Sequence, residues 1–204
     1  SGIAESLGYL PKLKTLEIKN NFGSLPVLPS PRVSEMCSIA EQACYRSIER
    51  VAGFLPLTVA DLVYTFPNLK QLGLTLKQEV DSNVLDLLHE QQVFLPNISS
   101  LELNVETVSL KVIQSISLAL PLFPSLIALS IDIHVVTNAQ QRDLLLEGVM
   151  NCSKQLKVLK LNVSCKDSVT YTQATSIVYN FKQLEILELG PNFQHLDCRR
   201  RQDC

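Results

Sequence analysis

Residues 126–133 read Leu126-Ile127-Ala128-Leu129-Ser130-Ile131-Asp132-Ile133, with aliphatic side chains at the first, fourth and sixth places. The same frame, with only Leu or Ile in its three slots, stands at Leu13/Leu16/Ile18, Leu69/Leu72/Leu74, Ile98/Leu101/Leu103, Leu156/Leu159/Leu161 and Leu184/Leu187/Leu189. Successive first positions are 56, 29, 28, 30 and 28 residues apart, and 56 is twice 28. A fixed period in this range marks a solenoid, in which each unit buries its apolar face only against its neighbours.

Working outward from the frame, each copy begins in a turn. Leu10-Pro11, Phe66-Pro67, Leu95-Pro96 and Phe123-Pro124 stand in one register before it, with Lys154 and Lys182 in the proline slot of the last two copies. Proline fixes its own φ and disfavours helix in the residue before it, so it ends the preceding helix. After the turn, apolar residues alternate, as in Leu72-x-Leu74-x-Leu76 and Leu101-x-Leu103-x-Val105, which predicts a half-buried strand. The period then lengthens: Val108, Val112, Ile113, Ile116 and Leu120 recur every three or four residues behind Thr107 or Ser109, which predicts a capped helix. Similar helical stretches fall at about 84–93, 139–150 and 171–181. One strand and one helix per unit predict an α/β solenoid, a horseshoe with parallel strands on its concave face and helices on its convex face. The helices are wider than the strand spacing of about 4.8 Å, so the array must bend.

Between the first two copies the pattern lapses. One interval of 28 lacks a strand signature, the run Leu25-Pro26-Val27-Leu28-Pro29-Ser30-Pro31 predicts a loop, and residues 34–54 read as a helix with Cys37 and Cys44 on one face. The organisation predicted is one domain over residues 1–192, an irregular insertion at about 20–56 and a solvated tail over 193–204.

The formal net charge of -2 and a pI near 5.9 give no long-range attraction for nucleic acid, and Arg199-Arg200-Arg201 is the sole basic cluster. No run of about 18 apolar residues suggests a membrane-spanning helix. The six cysteines show no paired C-x-x-C spacing, so free thiols are expected. No signal peptide opens the chain, which begins close to a repeat boundary without a cap, as an excised fragment would. The expectation is a cytoplasmic protein, with secretion as the alternative raised by Asn-x-Ser triplets at Asn97, Asn151 and Asn162.

The Leu-x-x-Leu-x-Leu strands with their strand and helix unit of 28 residues resemble the ribonuclease-inhibitor-like class of leucine-rich repeat proteins, which includes the repeat domains of NOD-like receptors. F-box proteins with leucine-rich repeats are similar too. The resemblance covers residues 10–192 apart from the insertion. In that class the ninth position of the unit usually carries Asn or Cys. Here it holds Asn21, Lys77, Glu106, His134, Ser164 and Asn192, and only the outer two match. Lys77 and Glu106 would be costly to bury, while Leu76, Val105, Ile133 and Val163 are apolar at the eighth position, so the strand is expected to run on by two residues.

No metalloprotease, nucleophile-elbow or phosphate-loop motif appears, and no cofactor is expected. His195, Asp197, Cys198 and Cys204 lack the second ligand pair of a usual metal site. Asp132 beside His134 could do acid–base work, but no nucleophile accompanies them, and a polar pair on a recognition surface is the better reading. The resemblance implies a non-enzymatic module that binds another protein through its concave face, such as the ligand-sensing or autoinhibitory repeat domain of an innate immune receptor. The alternatives are the substrate-recruiting domain of an F-box ubiquitin-ligase adaptor and a secreted or cell-surface repeat domain. Alternation turns Glu102, Asn104, Asp132, His134, Lys160 and Asn162 outward from neighbouring strands, and these six residues form the expected partner site. Asn104, Asp132 and Asn162 should make a polar row flanked by Glu102 and Lys160.

Overall fold

The computed structural model describes residues 12–18, 46–53, 66–136, 138–165 and 171–190. These form an α/β fold around a seven-stranded sheet whose strands lie side by side in sequence order. The strands are β1 (Thr15–Ile18), β2 (Arg50–Gly53), β3 (Gln71–Leu76), β4 (Ser100–Val105), β5 (Ala128–Val136), β6 (Val158–Cys165) and β7 (Ile186–Leu189). Every neighbouring pair is parallel. Parallel neighbours need a crossover. From β3 onward that crossover contains a helix: α1 (Asn83–Glu90), α2 (Leu110–Ala119), α3 (Ala139–Met150) and α4 (Tyr171–Asn180).

The repeated frame is the register of this sheet. Leu16, Val51, Leu72, Leu101, Leu129, Leu159 and Leu187 lie in one row across all seven strands. Two residues on, Ile18, Gly53, Leu74, Leu103, Ile131, Leu161 and Leu189 form the next. The extension of the strand by two residues holds: Leu76, Val105, Ile133 and Val163 continue their strands and are buried, while Glu106 is exposed. Each turn before a strand closes in the same way. The N–H groups of Leu69, Ile98, Leu126, Leu156 and Leu184 donate to the carbonyls of Phe66, Leu95, Phe123, Ser153 and Phe181, three residues back, at 3.0–3.3 Å. Pro67, Pro96 and Pro124 occupy the second place of that turn, where a fixed φ costs nothing and no N–H is needed. Lys154 and Lys182 fill it in the last two units without changing the turn.

Ser109 caps α2, its hydroxyl accepting from Val112 N–H at 3.3 Å, and Asn138 caps α3 by accepting from Gln141 N–H at 2.9 Å. Val112, Ile113, Ile116 and Ala119 of α2 and Leu145, Leu146 and Val149 of α3 face one side at helical spacing. With the inward row residues of the strands they make a single core cluster, closed at the turns by Phe66, Leu95, Phe123 and Phe181. Consecutive helices also pack on one another. At the two edge strands the same rows are only half-buried, at Leu13, Leu16, Leu184, Leu187 and Leu189.

One expectation is corrected. The interval after the first copy does contain a strand: β2 pairs with β1 and β3, and its frame is Ile48-x-x-Val51-x-Gly53. Ile48 and Val51 are fully buried. The frame was concealed for two reasons. Its sixth slot is glycine, held at φ 117, and it lies 35 residues after Leu13 and 21 before Leu69, not midway. Within the stretch 34–54 expected to be helical, Arg50–Gly53 is strand; Ile48, Val51 and Phe54 are spaced by three, a spacing that the repeat frame shares with a helix. The loop at 25–31, Cys37, Cys44, the tail at 193–204 with its basic trio and His195, and the ninth-position residues Asn21 and Asn192 lie outside the described residues.

Cys152 is a free thiol, 3% exposed, under the end of α3. Burial pushes its pKa up to about 12, only partly opposed by the charge of Lys154. It stays protonated at neutral pH, and the thiolate is the reactive form. Iodoacetamide at pH 8 should leave Cys152 unmodified in the native protein and label it in urea, as read by peptide mass spectrometry. Rapid native labelling would contradict the packing of that turn.

Candidate functional site

One face of the sheet is covered by helices, and the opposite face carries the alternate side chains of the same strands. On this open face the register assembles a row from Thr75, Asn104, Asp132 and Asn162 on β3 to β6. Two residues earlier along the strands, a second row runs Glu17, Ala52, Gly73, Glu102, Ser130, Lys160 and Glu188. The polar row expected from alternation is present, on three adjacent strands. Asn162 Nδ2 donates to Asp132 Oδ1 at 3.0 Å, which fixes the carboxylate against its neighbour.

Glu102 and Lys160 do not flank the row from opposite sides. Both lie in the second row, separated by Ser130, and each is turned away from Asp132 by its own partner. Glu102 Oε2 meets Arg50 at 3.2 Å, across the intervening strand β3, and Lys160 Nζ meets Glu188 Oε1 at 2.8 Å. These pairs are exposed, so they add little to stability and can rearrange around a ligand. Arg50 went unrecognised because its strand was concealed. Glu188 is the fifth residue of the last copy, on β7, one strand beyond the polar row.

His134 belongs to β5 as backbone, and its side chain lies outside the described residues. The pairing of β5 with β6 shifts there: Ile133 faces Val163, but Val136 faces Cys165, so three steps on one strand match two on the other. A bulge of this kind interrupts simple alternation. Alternation therefore places side chains with Asp132 only as far as Ile133, and the expected place of His134 on the open face does not follow from it.

Two glycines keep part of the face shallow. A Cβ on Gly73 would stand 2.9 Å from Ala52 Cβ, and one on Gly190 would stand 2.9 Å from Asn162 Oδ1. The side-chain oxygen of Asn104 is buried and lacks a hydrogen-bond partner, the single such atom among the described residues. Asp132 has no ion-pair partner among them, unlike Glu102, Lys160 and Glu188. In the rows that the strand pairing defines on this face, four carboxylates (Glu17, Glu102, Asp132, Glu188) stand against two cations (Arg50, Lys160).

Among the described residues no three His, Cys, Asp or Glu side chains come together as metal ligands would, and no helix is long and apolar enough to cross a membrane. No protein-family model matches the chain, and no curated protein matches it significantly.

Proposed function

We propose that this chain is a leucine-rich repeat solenoid of the ribonuclease-inhibitor-like class, acting without catalysis as a cytoplasmic protein-interaction module that receives its partner on the concave, open face of the sheet. The observation that carries this reading is the polar row of Asn104, Asp132 and Asn162, set by the register of three adjacent strands with charged residues beside it. A row on adjacent strands of one rigid sheet meets a single partner at several points, and charges there select partners by complementary potential. The sensing or autoinhibitory domain of a NOD-like receptor is the role this resemblance favours. The alternative is substrate recruitment in an F-box adaptor, and a nucleotide-binding region or a short helical F-box in the parent protein separates the two.

With a partner identified by pull-down, Asp132→Ala combined with Lys160→Ala should weaken binding at least tenfold in a calorimetric titration, with little change in stability, since both side chains lie on the open face. Normal binding by the double variant, together with loss of binding on deletion within residues 25–31, would move the interface to the insertion.

A further inference from the structure

We infer that the point of contact on this face is an arginine of the partner, received between Asp132 and Asn104. This rests on the reading that the open face receives a protein. In the second row Glu102 meets Arg50 and Lys160 meets Glu188, whereas Asp132, the one anion of the polar row, has no counter-ion among the described residues. Its Oδ1 is occupied by Asn162 Nδ2, which orients the carboxylate and leaves Oδ2 to a ligand. On the neighbouring strand, directly opposite in register, Asn104 holds an amide oxygen without a donor. An unmet buried acceptor is unfavourable, and the terminal torsion of Asn is soft, so that oxygen can turn toward a donor arriving beside Asp132.

Two acceptors on adjacent strands suit a guanidinium better than an ammonium. Its planar fork presents several N–H donors at once, keeps its charge at all accessible pH values, and loses less hydration on contact. The excess of negative charge on the face favours the approach of such a group. Lys160 is the competing cation on the neighbouring strand, and in this structure its ammonium meets Glu188 and not Asp132.

The test uses N-acetyl-arginine amide as the probe on the isotope-labelled chain, with N-acetyl-citrulline amide as its uncharged isostere and N-acetyl-lysine amide as the other cation. Arginine should shift the side-chain amide signals of Asn104 and Asn162 saturably, with lysine weaker and citrulline inert. Asp132→Asn, isosteric and half-exposed, should reduce the arginine affinity at least tenfold. Glu188→Ala, which releases Lys160 toward Asp132, should reduce it severalfold. No saturable shift, an equal response to citrulline or lysine, or an undiminished response in Asp132→Asn would overturn the inference. The reading beneath it fails separately. A protein partner lost on Asp132→Ala with Lys160→Ala but indifferent to Asp132→Asn removes the arginine contact alone. Arginine binding at the row with a partner that ignores the whole face removes the reading alone.

Discussion

Leu129→Ala should lower the free energy of unfolding by about 2–5 kcal/mol. Leu129 is completely buried on β5, with Leu101 and Leu159 beside it in the same row of the sheet. Truncating it removes apolar surface and leaves a cavity walled by two neighbouring units, neither of which can close in without leaving the register that the main-chain hydrogen bonds fix. Leu187 is the control. It occupies the same row on the edge strand β7, where the side chain is half-buried, and Leu187→Ala should cost distinctly less. The difference between the two is the sharper measurement, because the unfolded reference is nearly common to both. Urea titrations followed by circular dichroism give both values. A cost below about 0.5 kcal/mol for Leu129→Ala, or equal costs at the two positions, would reject the shared core.

The sheet was legible because its inward rows are written twice in the sequence, once as alternation within a strand and once as recurrence between units. Leu101, Leu129 and Leu159 satisfy both, and their register follows from the repeat alone. The helices were legible because the spacing changes to three and four after the strands β3 to β6, and because Ser109 stands where a cap is needed. The strand β2 was lost where these signals conflict. Ile48 and Val51 have the three-residue spacing common to the first half of the repeat frame and to a helix, and Gly53 removes the alternating apolar residue that would have decided between them.

For the candidate site, alternation suffices to place a side chain on a face but not to choose its partner. Asn104, Asp132 and Asn162 fell in line as expected. The pairings of Glu102 with Arg50 and of Lys160 with Glu188 depend on how long side chains reach between strands, and the first also on a strand that was concealed. Beyond Ile133 the shift in pairing adds a residue that no composition rule announces, so the register no longer says which face a side chain takes.

The second large effect lies between helices α2 and α3. Gly148→Ala would raise stability by up to about 1 kcal/mol if helix propensity alone decided the outcome. Here it should lower stability by a net of about 1–3 kcal/mol, the range for overpacking a close contact. A Cβ on Gly148 would stand 2.5 Å from Ser117 Cα and 2.6 Å from its Cβ. The obstruction is backbone, so no rotamer change relieves it and the helices must move apart. Ser117 ties them at the same point: its hydroxyl lies 2.8 Å from the carbonyl of Ile113 in its own helix and 2.9 Å from that of Leu144 in the next, a short bridge that separation would stretch. The helix spacing also governs how neighbouring units stack, so the strain would reach the turns beneath Leu120 and Cys152. The sign of the change is the test. A thermal or urea midpoint that rises on Gly148→Ala would show that the two helices do not approach as closely as this contact requires, whereas a fall together with faster alkylation of native Cys152 would trace the strain from the helix contact into the neighbouring turn.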